Sequence, residues 1–153
     1  MSADSDDADP ADLIPETRGW NGGRGIDPEG WIACVGTYEL AVGYSLIFWP
    51  RFVRFEGYVL RDGFSEASLR GFERSTGRDR AAIEAVMNHL HLADLHANAA
   101  ATEAQLRHLG RVLRDIHTAK LARDLPGLRF EIRFDDEPGL DPLLYELTFW
   151  QAG

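Results

Sequence analysis

Apolar residues recur at three- and four-residue steps between Trp31 and Trp49, which is the spacing of one helical stripe. Further apolar residues cover much of the opposite side, so the pattern predicts a helix that lies at the centre of a core. One acidic residue, Glu39, and two glycines interrupt the run. Its length barely reaches that of a bilayer-spanning helix, which argues against a membrane protein.

Alternating apolar and charged residues predict two strands near the end of the chain, at 128–134 and 143–151. Only a short acidic loop separates them, so we expect them to pair antiparallel. The β-branched and aromatic run from Phe52 to Arg61 predicts a further strand, with an irregularity at Gly57.

Helix-start signals predict the remaining elements. Thr102 and Gln105 have the spacing of a capping box, and leucines follow at helical intervals as far as Leu125. Shorter helices are predicted after Ser65 and from about residue 80. The predicted fold class is therefore α+β: a small antiparallel sheet of about three strands, including 128–134 and 143–151, packed with about four helices.

Charge is distributed unevenly along the chain. The protein has 153 residues and a net charge of −9, and residues 1–17 contain six acidic residues and no basic one. Such a segment cannot bury enough apolar surface to offset its ordering entropy. We therefore predict a disordered acidic tail over 1–17 and a single globular α+β domain over 18–153.

The single cysteine, Cys34, has no partner in the chain, so an internal disulfide framework is excluded. The acidic start lacks the basic and apolar regions of a secretory signal, and a cytoplasmic location is the simplest expectation. The glycine-dense stretch from Arg18 to Gly25 lacks the spacing of a phosphate-binding loop. Overall acidity also argues against wholesale nucleic-acid binding.

Three of the five histidines lie between Arg80 and His96. On one continuous helix, His89 and His96 would be separated by about 10 Å, too far to share one metal ion. His89 and His91 could share an ion only if their segment were extended. A continued helix would also place Asp94 in the middle of its apolar face, so we predict a bend near His89.

A metal-dependent or acid–base enzyme built on His89, His91 and Glu39 is one functional hypothesis. Glu39 enters because it is the only ionised group in the long apolar run, where burial would disfavour its charged form. No third metal ligand or nucleophile motif accompanies these residues. Structural roles for the histidines are therefore favoured, His117 is expected to be a hydrogen-bonded core residue, and no cofactor is predicted.

Arg107, Arg111 and Arg114 share the side of their helix that faces away from its leucines. Because neighbouring arginines repel, an acidic group is expected near them. A second hypothesis is a docking stripe for an acidic partner surface or a phosphate backbone, and the alternative is a solvated face balanced by Glu103 and Asp115. Nucleic-acid binding is less favoured because no exposed aromatic residues accompany the arginines.

The favoured hypothesis is a small acidic module that binds another protein with a basic surface. The acidic loop residues, or the acidic tail, would meet that basic surface and steer association. The arginine stripe provides further predicted contact residues. In size, acidity and lack of catalytic motifs the chain is similar to bacterial immunity and antitoxin proteins and to accessory subunits of defence systems. The acidic loop residues are Asp135, Asp136, Glu137 and Asp141.

Overall fold

The computed structural model describes residues 8–153 and confirms the predicted α+β class. The chain forms two compact units that divide between Tyr44 and Ser45, and the single domain predicted over 18–153 stays a prediction. The described part of the first unit is helical. Its elements are α1 (Pro10–Leu13), a 3-10 helix (Pro15–Gly19), α2 (Trp20–Gly23), α3 (Pro28–Val35) and the first part of α4 (Tyr38–Phe48).

Residues 10–19 form helices, although they overlap the tail that was predicted to be disordered. The Asp9 side chain accepts a hydrogen bond from the Ala11 amide and so caps α1, and Pro10 suits the first helical position. Leu13 and Thr17 are buried, so this segment packs against its surroundings, which its acidic composition did not predict. The prediction for Met1 to Asp7 lies outside the described residues.

The apolar run from 31 to 49 is divided between two helices that meet at Gly36 and Thr37. The Asp27 side chain caps α3, and the Thr37 hydroxyl accepts a hydrogen bond from the Leu40 amide. Neither α3 nor α4 contains a buried residue. The prediction of one central core helix is therefore wrong, because local caps and periodicity make these helices while other elements build the core.

The second unit contains two small antiparallel sheets and three further helices. The run from 52 to 61 is a hairpin and not one strand, because Glu56 and Gly57 both adopt positive φ and reverse the chain. The sheets are β1 (Phe52–Phe55) with β2 (Tyr58–Arg61), and β3 (Leu90–His91), β5 (Glu146–Gln151) and β4 (Phe130–Phe134) in that order; the helices are α5 (Glu66–Thr76), α6 (Arg80–Met87) and α7 (Glu103–Asp124).

Several local predictions are confirmed. Thr102 and Gln105 form the capping box at the start of α7, and Ser65 caps α5. The two C-terminal strands pair antiparallel, with Phe130 opposite Gln151. Close packing of α7 on β4 depends on Gly110, since a Cβ atom at that position would lie 1.9 Å from the Phe134 ring.

The side chains of Glu84, on α6, and of Asn88, the residue that caps the end of α6, join the two sheets. The Glu84 carboxylate is fully buried and accepts hydrogen bonds from the Val59 amide at 2.8 Å and the Gln151 amide at 2.6 Å. The Gln151 side-chain amide donates to the same carboxylate at 2.5 Å. One carboxylate therefore accepts hydrogen bonds from donors on β2 and on β5, which belong to different sheets.

Asn88, one helical turn after Glu84, continues this connection. Its side-chain amide donates to the Val59 carbonyl at 2.9 Å and the Phe149 carbonyl at 3.3 Å, and its oxygen accepts from the Arg61 amide at 3.1 Å. The side chains of Glu84 and Asn88 therefore provide hydrogen-bond partners to backbone groups of β2 and β5, as buried backbone groups require. The spacing of four residues was the sequence signal for two polar groups on one helix face.

Candidate functional site

The arginine stripe and the acidic loop meet in the structure. The Asp136 carboxylate accepts a hydrogen bond from Arg107 Nε at 2.8 Å and from Arg111 Nε at 2.5 Å. The expectation that an acidic group lies near the arginines is confirmed. Partial burial raises the pKa of Asp136, but the hydrogen bonds from Arg111 and Arg107 outweigh burial and hold this pKa below its ordinary value.

The other predicted contact residues also have neighbours within the chain. Arg114 contacts Asp115 at 3.1 Å, and Asp135 lies 3.9 Å from Arg133. The Asp141 side chain caps the 3-10 helix Pro142–Leu144, and the Glu137 carbonyl accepts a hydrogen bond from the Tyr145 hydroxyl. The acidic loop and the stripe are thus partly neutralised by each other, and their role in partner binding stays a prediction.

The predicted bend near His89 is confirmed, because α6 ends at Met87 and the chain then enters β3. The extended backbone brings the His89 and His91 rings together, with their centres 4.9 Å apart. Glu146 Oε2 lies 3.7 Å from His91 Nδ1. Two histidines beside a carboxylate are therefore present on the surface of the second unit.

Glu39 does not have the buried environment that the enzyme hypothesis requires. Its side chain is exposed in the first turn of α4, so the expected burial of Glu39 is wrong. Among residues 8–153, no group of three or more histidine, cysteine or acidic side chains is arranged to hold a metal ion. A metal-dependent or acid–base enzyme built on His89, His91 and Glu39 therefore receives no geometric support.

His117 is a buried, hydrogen-bonded histidine, as predicted. Its Nδ1 lies 2.8 Å from the Leu113 carbonyl, and its ring packs against Phe52 and Phe149. Burial lowers the pKa of His117 to about 4, with a further lowering from the positive charge of Arg61. The imidazole is therefore neutral in the folded protein near pH 7.

We expect the ionisation of His117 to lower the free energy of unfolding by about 2 kcal/mol as the pH falls from about 7.5 to about 5. The pKa of His117 is about 4 in the folded protein and about 6.5 in the unfolded chain. The unfolded chain therefore binds more protons in this interval, so stability present above about pH 6.5 is lost as the pH falls. Urea denaturation of the wild type and His117→Gln across this range measures the difference.

His117→Gln should lack the loss of stability at low pH that is expected of the wild type. Equal pH dependence in the wild type and His117→Gln would contradict the assignment.

The glycine-dense stretch forms a tight turn that lines a shallow cavity of about 600 Å³ in the first unit. Its amides are used within the turn: Gly25 donates to the Trp20 carbonyl at 3.0 Å, and Ile26 donates to the Thr17 carbonyl at 3.1 Å. Because these donors face backbone carbonyls, the turn does not present them to a phosphate. The absence of phosphate-loop spacing in the sequence agrees with this arrangement.

The first unit has an apolar surface that sequence reasoning assigned to the core. Tyr38 is 90% exposed, and the four other large side chains of this surface are between 47% and 58% exposed. Two consecutive helices thus expose five large apolar side chains, and exposed apolar surface of this kind is typical of interaction sites. We call it the α3–α4 surface; it comprises Ile32, Val35, Tyr38, Leu40 and Val42.

The same unit carries most of the net charge. Residues 1–44 contain nine acidic and two basic residues, which is −7 of the total of −9. From Ile26 to Pro50 there is no lysine or arginine, while Glu29 and Glu39 lie on α3 and α4. The sequence signal for an exposed site was this coincidence of an apolar run with strong acidity.

The chain matches no protein-family model, no curated protein and no solved structure. Among residues 8–153, no helix is both long enough and apolar enough to cross a membrane.

Proposed function

We propose that the protein is a small binding module that docks the α3–α4 surface onto another polypeptide. The observation that carries the proposal is the exposure of five large apolar side chains on two consecutive helices, which Asp27 and Thr37 cap at their starts. Their helices form through local caps without burying any residue, so the apolar side chains are available to a partner.

The apolar contacts alone would support only weak binding. Burying a large apolar side chain completely contributes about 1.5–3 kcal/mol, and these five are roughly half-exposed, so their total is about 5 kcal/mol. Micromolar affinity requires about 8 kcal/mol after the entropy of association has been met. A partner must therefore add polar or ionic contacts around the apolar centre.

The charge of the first unit indicates the chemistry of that partner. An apolar surface bordered by lysine or arginine side chains would complement the −7 of residues 1–44 and accelerate encounter. A second copy of this chain would bring two such acidic units together, which charge repulsion opposes. Anionic lipid surfaces attract helices with basic residues, and α3 and α4 have none.

The finer form of the proposal is an immunity- or antitoxin-like inhibitor, or an accessory subunit of a bacterial defence system. Small size, acidity and the lack of a catalytic motif support it. Co-expression with the captured partner tests it: an inhibitor should reduce the partner's toxicity or activity. An unaffected partner would remove the inhibitory role while leaving the docking proposal intact.

Site-specific photo-crosslinking tests the docking proposal. A photoreactive phenylalanine analogue replaces Tyr38 in the full chain, expressed in its native cell, and the adduct is identified by mass spectrometry. The expected adduct joins position 38 to an apolar segment flanked by lysine or arginine. The same analogue at Ser75, an exposed position on α5 of the second unit, is the control.

Two further variants separate the apolar and the ionic contributions. Val42→Ser should reduce the adduct yield about fivefold, since it removes about 1 kcal/mol of apolar contact. Glu39→Gln should reduce the yield mainly at low salt. Both positions are exposed, so the stability of the protein should change by less than about 0.5 kcal/mol. Equal yields from positions 38 and 75, or an adduct with lipid or with a second copy, would contradict the proposal.

A further inference from the structure

We propose that His89 and His91 form a two-imidazole site for a divalent transition-metal ion, independent of the α3–α4 surface. The site lies on the second unit, where the end of α6 and the short strand β3 bring the two rings into edge-to-face contact. The remaining coordination positions are open to water or to a donor from a bound molecule.

The hydrogen bonds of the two rings set which nitrogen can bind a metal. His89 Nδ1 lies 2.5 Å from the Val86 carbonyl, and His91 Nδ1 lies 2.8 Å from the Leu143 carbonyl. A carbonyl oxygen only accepts, so each Nδ1 must carry the proton and donate it. Each Nε2 then has a free lone pair, as a metal ligand requires, and a carbonyl partner on Nδ1 is the usual outer support of a metal-bound histidine.

The spacing of the rings fits one shared ion. A nitrogen ligand at about 2.1 Å puts the ion about 3.2 Å from each ring centre, so bond angles of about 90–110° place the two centres about 4.5–5.2 Å apart. The observed separation is 4.9 Å. Edge-to-face ring packing has a similar separation, so the two free Nε2 atoms, rather than the distance alone, favour a metal site.

Glu146 supports the site from outside the metal. Its carboxylate approaches His91 on the Nδ1 side, at 3.7 Å, and it also lies 3.6 Å from Arg133. A carboxylate in this position places negative charge near the metal-binding ring without replacing water on the ion. Imidazole nitrogens suit copper, nickel and zinc, and among divalent ions of this series copper binds tightest.

Metal titration of the purified full chain tests the site. Zinc binding by isothermal titration calorimetry should show one saturable site, and the electron paramagnetic resonance spectrum with one equivalent of Cu²⁺ should show coupling to two nitrogen nuclei. His89→Gln or His91→Gln should leave one coupled nitrogen. Each substitution should weaken zinc binding at least tenfold. A tenfold loss is about the smallest effect of removing a residue that only hydrogen-bonds to a metal ligand, and loss of the ligand itself should cost more.

His96→Gln is the matched control, because His96 is an exposed histidine of the same segment. It should leave the stoichiometry, the zinc affinity and the nitrogen coupling unchanged, and thermal melting should show that each variant is folded. The proposal is overturned if the wild type binds no zinc or copper at one equivalent. It is also overturned if two nitrogens remain coupled in the His89→Gln, His91→Gln double variant, which would leave ring packing as the role of the pair.

Discussion

Glu84→Leu is expected to lower the free energy of unfolding by about 3–5 kcal/mol. The change leaves the Val59 amide and both Gln151 donors facing an apolar side chain inside the core. Each buried donor without a partner costs about 1–3 kcal/mol, and the new packing of leucine offsets part of this loss. Urea denaturation with linear extrapolation measures the difference.

Two glutamine variants provide the comparison for Glu84→Leu. Glu84→Gln keeps one oxygen for two of the donors but turns an amino group toward the third, so its loss should be smaller than that of Glu84→Leu. Glu131→Gln changes an exposed acid on β4 and should alter stability by less than about 0.5 kcal/mol. A Glu84→Leu protein as stable as the wild type would show that this carboxylate does not hold the sheets together.

Gly110→Ala is expected to destabilise the protein by about 1–3 kcal/mol or more, although alanine is the better helix former. The new methyl group would lie 1.9–2.4 Å from three atoms of the Phe134 ring. Phe134 is itself buried among core residues, so relief requires α7 and β4 to separate. Guanidinium denaturation should show the loss.

Gly71 offers a matched control on α5, because a Cβ atom there would meet only the tip of Arg74, at 3.9 Å. Gly71→Ala should stabilise the protein by about 0.5–1 kcal/mol. In the Gly110→Ala background, Phe134→Leu should cost less than it does alone, because the smaller side chain makes room for the methyl group. Stabilisation of the protein by Gly110→Ala would contradict the close packing.

The histidine pair was partly predictable. Spacing alone excluded one ion shared by His89 and His96, and the misplaced Asp94 predicted the bend that the structure contains. The carbonyls of Val86 and Leu143, which orient the two rings, were not predictable. Leu143 is 52 residues from His91 along the sequence, and patterns among neighbouring residues cannot predict a contact between residues so far apart in the chain.

The ion pairs, too, were only partly predictable from the sequence. Arginines at helical spacing predicted a nearby acid, and Asp136 is that acid. The sequence also offered the stripe and the acidic loop as two surfaces for a partner, whereas the fold brings them together. Only the packing of α7 beside the loop after β4 could show this, because electrostatic pairing depends on distance in space.

The sequence by itself determined the local elements: caps and periodicity specify α5, α6 and α7, and alternation specifies the C-terminal strands. These features depend on residues a few positions apart. Only the tertiary structure decided that Glu84 and Asn88 connect two sheets and that the apolar helices α3 and α4 remain exposed. Periodicity defines an apolar face, but burial of that face depends on whether another element covers it, and contacts across the fold decide this.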